Sequence, residues 1–542
     1  MVTTRSGSFS IKESVIAVAL SLVAVLSVIS YTGHLPDGQI LFKWLSAGIA
    51  FCTTVIITRI LSVCTFTGAD AGGNAYSIRT IAIPFLMAGL IVVIHSLIQM
   101  TGVAPAHSPD GFRVLAGFDN PAGVASALAV SFPFVIALAD RLKGRWIRYA
   151  VMGAAFCTVI MILAVSRSRA GILAVGVVML LWVIHTIKDV KTRRITASIL
   201  AVLVTAAVVY MSFHKRGSNS GRALILGVCW DMFKDAPLTG HGLHGFRSRY
   251  MLYQAEHLDS CASRVLPMLA DNTTHPLNEY ALVAVNFGMS GLMMLMIGTV
   301  MTLRHYMRNR SEDSFVGMTV LAAIGIISMF SYPFRYPLTV LGVLCALLLV
   351  YRDTIMNLSV RARTLSSAVT VMMSVAGLVL IIPWARSQTE WGRLSYISDS
   401  GGYKKEVLDG YHKLYPKLGK DPYFLYNYAY VLSENGECKE AERYATESFN
   451  LMSNYDTALF LADNAKECGI LDMAEEYYKL ASRMCPVRFV PLYGLFCLYE
   501  NMGRKDEMME MGEKILTKPV KVHSMDVRNI RSQVQMKLLI SQ

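Results

Sequence analysis

Charge is scarce in this 542-residue chain: Asp, Glu, Lys and Arg together make up 16% of it, against 54% hydrophobic residues. That balance is too apolar for an ordinary water-soluble protein. Its ten cysteines show no C-x-x-C or Cys/His spacing of the kind that holds a metal, so no metal site is expected. The first apolar run lacks a small-residue cleavage site and reads as a retained anchor. Beyond residue 384 apolar runs of spanning length are missing altogether, which predicts a water-soluble tail.

Before that point the apolar residues come in runs of about 20, the length a helix needs to cross a bilayer core. Eleven spans are predicted: 13–31, 40–61, 79–100, 121–139, 148–166, 170–187, 195–213, 276–303, 314–332, 336–351 and 364–384. The expected fold is therefore all-α, a polytopic membrane helix bundle with a small helical tail. The net charge of +13 does not point to nucleic acid. It collects in DRLKGRWIR (140–148), KDVKTRR (188–194), RHYMRNR (304–310) and YRDTIMNLSVRAR (351–363), all cytoplasmic if the N-terminus is inside, in keeping with the positive-inside rule. Eleven spans then predict a tail outside the cytoplasm.

Two domains are expected, 1–384 and 385–542. The first contains a long loop, 214–275, whose Trp230, Phe233, Phe246, Tyr250 and Tyr253 favour a folded segment over a disordered one. In the tail Gly436, Gly469 and Gly503 are spaced by 33 and 34 residues, and Ala441 and Ala474 by 33. With a helix-turn-helix hydrophobic pattern this reads as tetratricopeptide repeats, the third divergent because Met508 takes the alanine position. Cys52, Cys64, Cys157 and Cys345 fall in or beside spans and are expected to be packing residues. Cys438, Cys468, Cys485 and Cys497 lie in the tail, as a disulfide or as buried thiols.

Polar residues at membrane depth mark function more often than not, and here they map to one face. SRSRAG (166–171) puts Arg167 and Arg169 in a short outer turn. Both could snorkel to headgroups or clamp an anion in the forked geometry of guanidinium. Arg222 opens GRALILGVCWDMFKDAPLTGHGLHGF (221–246), and Arg335 lies in SYPFRYP (331–337). Four arginines on one face suit a doubly charged ligand such as pyrophosphate. GHGLHG has the glycine spacing of a dinucleotide site but no strand before it, so that reading fails. Gly240 and Gly242 are instead expected to let backbone N–H groups approach a ligand, with His241 and His244 beside them. His275, Asn278 and Glu279 fall at i, i+3 and i+4 and are predicted to share one helix face. They suit accepting a proton from a hydroxyl, or capping the helix from Thr274 with Pro276 in the first turn.

Taken in order, GFDNPAGVASALAVSFPF (117–134), SRAGILA (168–174), the R…W…D…PL-x-G-x-G stretch from Arg222 to Gly242 and HPLNEYALVAVNFGMSGL (275–292) resemble the O-antigen ligase/polymerase family. These are membrane glycosyltransferases of the C type, and the resemblance covers roughly residues 110–350. It implies transfer of a glycan from undecaprenyl diphosphate to an acceptor hydroxyl at the periplasmic face of a bacterial inner membrane, with inversion and with neither metal nor other cofactor. Arg169 and Arg222 match family arginines that would neutralise the diphosphate. The family often has His directly before the Asn, where this chain has Leu277. The base is then sought among His275, Glu279 and the loop histidines, His275 first.

The acceptor expected first is lipid A–core. Ser/Thr of exported proteins (a protein O-oligosaccharyltransferase) and a growing polysaccharide are the alternatives. A lipid-glycan transporter would carry its charges near the midplane, and a repeat scaffold on a passive anchor would not need arginines in short outer turns. The repeats are expected to bind a protein partner.

Overall fold

The computed structural model describes residues 11–33, 35, 37–64, 77–104, 111–213, 216–260, 266–401 and 404–541. The chain is all-α, with no strand among the described residues. It divides into two compact units, one of residues 1–214 and 296–389, the other of 215–295 and 390–542. This differs from the expected division at 384, because the long loop groups with the tail.

The first unit opens with α1 (Ile11–Ile29), α2 (Ile40–Cys64), α3 (Ile78–Thr101), α4 (Pro121–Ala139), α5 (Arg145–Val165), α6 (Arg169–Thr186) and α7 (Val190–Phe213). The second unit begins with α8 (Arg216–Asp235) and α9 (Gly245–Ser260). It continues into α10 (Glu279–Arg308), whose part from Met296 onward belongs to the first unit. Then follow α11 (Glu312–Ser328), α12 (Pro337–Val350), the short α13 (Arg352–Met356) and α14 (Val360–Asp399). Helices thus stand at all eleven predicted spans. Among the described residues eight are long and apolar enough to cross a membrane: those beginning at Ile40, Ile78, Pro121, Arg145, Arg169, Val190, Glu279 and Val360. The apolar helices at the first, ninth and tenth predicted spans (α1, α11 and α12) are shorter or fall outside that set.

In the first unit α4 is the most enclosed of these helices. Asn120 caps it, accepting the Ala122 N–H at 2.9 Å, and Pro121 follows in the first turn. Its many small residues let neighbours approach closely: a Cβ on Gly342 of α12 would lie 2.5 Å from Val130. Phe134 stacks on Phe85 of α3 at 4.3 Å. Cys52 and Cys345 are buried as expected, but Cys157 is exposed, and the Cys64 side chain lies outside the described residues.

The tail comprises α15 (Lys404–Leu418) and the pairs α16 (Pro422–Glu434) with α17 (Cys438–Leu451), α18 (Tyr455–Glu467) with α19 (Leu471–Met484), and α20 (Val490–Asn501) with α21 (Lys505–Thr517), followed by α22 (Met525–Ser541). Gly436, Gly469 and Gly503 each make the left-handed turn inside a pair, at φ of +81°, +76° and +72°, where a side chain would be strained. Ala441 and Ala474 are fully buried and Met508 nearly so, which accounts for the small residues at the period. Cys438, Cys468, Cys485 and Cys497 are free thiols.

The long loop is folded onto this tail as one core. Leu224, Val228 and Met232 of α8 and Phe246, Tyr250 and Met251 of α9 pack with Tyr455, Ala458, Ala481 and Met484 of the repeats. Gln254, fully buried, donates to the carbonyls of Met484 at 2.8 Å and Asp271 at 3.1 Å, and accepts the Tyr250 hydroxyl at 3.0 Å. A buried amide with its partners supplied in this way fixes the register of the two segments.

Candidate functional site

Within the second unit, the glycine-rich turn and the start of α10 are built around each other. At Gly288, with φ of +61°, α10 breaks. Two of its i→i+4 hydrogen bonds open, and both halves re-pair with the turn. The freed carbonyls of Val285 and Asn286 accept the N–H groups of His241 and Gly242, each at 2.9 Å. The freed N–H groups of Met289 and Ser290 donate to the carbonyls of Pro237 at 2.7 Å and Leu238 at 3.1 Å. The Asn286 side chain completes the joint, accepting the Phe246 N–H at 2.9 Å and donating to the Leu243 carbonyl at 2.9 Å. Backbone polar groups released by a helix break are thereby satisfied.

This changes the role expected for the glycines. The Gly240 N–H goes to the Ala236 carbonyl and that of Gly242 to Asn286, so neither is aimed at a ligand. A Cβ on Gly240 would sit 2.4 Å from the Asn286 backbone. What the glycine permits is contact between two backbones. His241 is also committed: its Nε2 donates to the Met232 carbonyl at 2.7 Å, and its Nδ1 accepts from Arg249 at 3.2 Å. A carbonyl can only accept, so this sets the neutral tautomer with both nitrogens engaged. His244 is exposed on the turn.

The predicted shared helix face of His275, Asn278 and Glu279 needs correction. The helix begins at Glu279, and its cap is Asn278, which accepts the Ala281 N–H at 3.0 Å. Thr274 and Pro276 precede it, because Leu277 takes a left-handed φ of +56° that stops the helix from starting earlier. His275 shapes that turn: its Nδ1 accepts the Leu277 N–H at 3.0 Å. With Nδ1 so used, the neutral ring carries its proton on Nε2, which faces Glu279 Oε2 at 3.9 Å. At that separation the pair is an electrostatic contact and not a hydrogen bond. A branched residue held at positive φ costs about 1–3 kcal/mol and is characteristic of functional sites. Arg222 lies half-buried on the second turn of α8.

Another pair in this unit escaped the sequence reading. His257 Nδ1 lies 2.5 Å from Asp231, which Lys234 also contacts at 2.8 Å. Burial opposes ionisation of Asp231, but these donors outweigh it and hold the carboxyl below its usual range. The pair ties α8 to α9.

In the first unit, α5 ends at Val165 and Arg167 occupies the position after the cap at φ of +58°. The Ser168 N–H bonds the Leu163 carbonyl at 2.9 Å and the Arg167 N–H that of Ala164 at 3.0 Å, a Schellman closure usually made with glycine. Ser168 then caps α6 through the Gly171 N–H at 3.3 Å, and Arg169 is its first residue. Arg335 pairs with Asp119 at 3.3 Å, while Tyr336 donates to the same carboxylate at 2.9 Å. Burial works against the Arg335 charge, but Asp119 prevails and raises its pKa. Lys43, fully buried, donates to the Ser30 carbonyl at 2.7 Å beside the Phe118 ring. Its position inside an apolar run was the available signal. Arg167, Arg169 and Arg335 stand in the first unit, and the other candidates in the second.

Residues 153–296 match the family described as O-Antigen ligase. The matched segment is similar to O-antigen ligases, membrane glycosyltransferases of the O-antigen ligase/polymerase type. The matched O-antigen ligase segment runs from within α5 to the middle of α10. It encloses Arg167, Arg169, Arg222, the glycine turn and His275 to Glu279, and leaves out Lys43, Asp119 and Arg335. No curated protein matches the chain.

Proposed function

We propose that the protein transfers a glycan from undecaprenyl diphosphate to an acceptor hydroxyl at the periplasmic face of a bacterial inner membrane, with lipid A–core as the first acceptor. The observation that carries this reading is the extent of the family match. It contains every candidate arginine except Arg335, which already has a carboxylate partner. Arg169 and Arg222 would neutralise the diphosphate as the bond from its oxygen to the anomeric carbon breaks and the electron pair passes to phosphate. The acceptor oxygen forms the new bond from the opposite side, inverting the centre, and its proton goes to a base. The hydrogen bond from Leu277 to His275 Nδ1 favours Glu279 as that base, with His275 positioning it. Lys43 is a buried donor already engaged with Ser30 and is given no part in the transfer. The tail, read as tetratricopeptide repeats, would then be periplasmic.

One observation favours a second acceptor class. The repeats share a core with the loop that carries His275, which suits an acceptor presented by a polypeptide, as in a protein O-oligosaccharyltransferase.

Complementation of a deletion strain with wild type, Arg222→Ala, His275→Ala and Glu279→Gln tests the proposal, with lipopolysaccharide and exported glycoproteins read on the same gels. Loss of O-chain from lipid A–core, with chains accumulating on the lipid carrier, is the expected result. Loss of glycan from exported proteins alone selects the second acceptor. Normal glycans with Arg222→Ala at normal protein level would refute the diphosphate clamp. His275→Asn separates positioning from proton transfer, because an Asn oxygen can accept the Leu277 N–H in the same turn. It should retain more transfer than His275→Ala.

A further inference from the structure

The junction between α21 and α22 gathers positive charge that neither the transfer reaction nor the packing of the repeats uses. From 514 to 531 the chain carries Lys514, Lys518, Lys521, Arg528 and Arg531 against one acid, Asp526. Two of these cations share the buried ring of Phe489. The Lys518 ammonium lies 5.1 Å and the Arg531 guanidinium 5.4 Å from its centre. Backbone carbonyls hold both in place: Lys518 donates to that of Arg488 at 2.7 Å, and Arg531 to that of Lys518. Among the described residues neither pairs with a carboxylate, and the buried Arg531 Nε has no hydrogen-bond partner. The ring attracts each cation, but two half-buried charges of one sign remain without a counter-ion. Burial lowers the Lys518 pKa from 10.5 to about 8, and Lys514 adds to the fall.

The border of this cluster shows what it accepts. Arg488, next to Phe489, holds the Asp271 carboxylate at 2.7 Å. Burial opposes the Asp271 charge, but hydrogen bonds from Arg488 and the Asn272 N–H, with Lys521 nearby, outweigh it. They keep the carboxyl below its usual range. Asp271 thus occupies Arg488 and leaves Lys518 and Arg531 unneutralised. It also ties the cluster to the candidate site, because four residues of chain, at most about 14 Å, separate Asp271 from His275. An anion seated on Lys518 and Arg531 therefore lies beside the segment that leads to the turn positioning Glu279.

We propose that this cluster binds a phosphomonoester carried by the acceptor saccharide, an assignment that rests on the lipid A–core reading above. A phosphomonoester brings about 1.5 to 2 negative charges at neutral pH, which matches the two uncompensated cations. Guanidinium meets its oxygens in a forked geometry, and ammonium adds a point charge. A carboxylate brings only one charge, and Asp271 already supplies one. None of the arginines assigned to the donor diphosphate belongs to the cluster, so donor and acceptor phosphates are held by different residues.

The test is calorimetric titration of the full chain, purified in detergent, with core oligosaccharide released from lipopolysaccharide, before and after phosphatase treatment. Removing the phosphates should weaken binding at least tenfold, and raising salt from 50 to 500 mM should weaken it several-fold. Lys518→Gln with Arg531→Gln should cost tenfold for the phosphorylated form and nothing for the dephosphorylated one. Both glutamines keep an amide donor for the carbonyls now engaged. Lys514→Gln with Lys521→Gln, at exposed positions, serves if that pair fails to fold, and should cost several-fold. Equal affinity for the two oligosaccharide forms, or wild-type affinity in the double variants, would overturn the proposal. So would variants that lose binding of dihexanoyl phosphatidylglycerol, a lipid-headgroup mimic, while keeping the oligosaccharide. Binding lost in Arg222→Ala but kept in Lys518→Gln with Arg531→Gln would move the phosphate to the donor clamp and also overturn it. Phosphate-dependent binding in a protein whose deletion leaves O-chain on lipid A–core unchanged would refute the transfer reading alone and leave the phosphate site standing.

Discussion

Three backbone positions show how individual residues are constrained. Gly288 and Gly242 both take positive φ, but only at Gly288 would a Cβ meet backbone, 2.6 Å from Leu238. Gly242 faces open space. Gly242→Ala should therefore lower stability by about 1 kcal/mol from strain alone, whereas Gly288→Ala should break the joint between α10 and the turn and abolish accumulation of folded protein. Thermal melting and yield from detergent extraction distinguish the two, and comparable melting of both variants would contradict the docking described. Arg167 presents the opposite case. A C′ position at φ of +58° is better suited to glycine, so Arg167→Gly should raise stability by about 1 kcal/mol. If the arginine serves the donor, transfer should fall even as the melting temperature rises. These constraints were only partly legible in the sequence. Gly240 and Gly242 stood out by spacing and Gly288 did not, and the backbone that Gly240 or Gly288 meets belongs to residues more than 40 positions away. The positive φ of Leu277 left no mark at all, since leucine is an ordinary residue for a helix.

Among the elements, the repeats are joined by a polar network as well as by apolar packing. Glu475 of α19 accepts from Lys479 at 2.5 Å, from Arg504 at 2.6 Å and from the Tyr499 hydroxyl at 2.9 Å. Burial opposes its charge, but the three donors prevail and hold the carboxyl at about 2, from 4.5. A folded-state pKa below the unfolded one contributes stability that is present above about pH 4.5 and is lost as pH falls toward 2. Glu475→Gln should accordingly be less stable than wild type at pH 6, and the difference should shrink at pH 3. Melting curves at the two pH values check this, and a gap independent of pH would show that the carboxylate charge is not what holds α19 to α20. The periodicity of turn glycines and buried alanines identified these helices from the sequence. Salt links between them could not be read there, because partners such as Glu475 and Arg504 lie about one repeat apart among many charged residues of equal composition.

For the molecule as a whole, the consequential fact is that residues 215–295 and 390–542 form one unit. Removing 390–542 would not leave a trimmed transferase with an intact loop. It would expose the buried face of α9 and leave Gln254 without the Met484 carbonyl, at a cost of about 1–3 kcal/mol for that group alone. The deletion should abolish transfer and make residues 216–260 sensitive to protease, whereas an independent tail would leave that segment resistant. Limited proteolysis of membranes from the two strains gives the answer.

The number of apolar runs, the helical class, the repeat period and the order of the family motifs are properties of local sequence. They follow from spacing and hydropathy, which need no knowledge of what lies nearby in space. Tertiary structure decided which backbones close on the glycine turn, that His275 caps a turn before the helix, that Asp119 takes Arg335, and that the long loop belongs with the tail. Each of these is a pairing between residues distant in the chain. Such pairings are set by which polar groups must be satisfied once the apolar faces have packed, and a linear pattern does not carry that information.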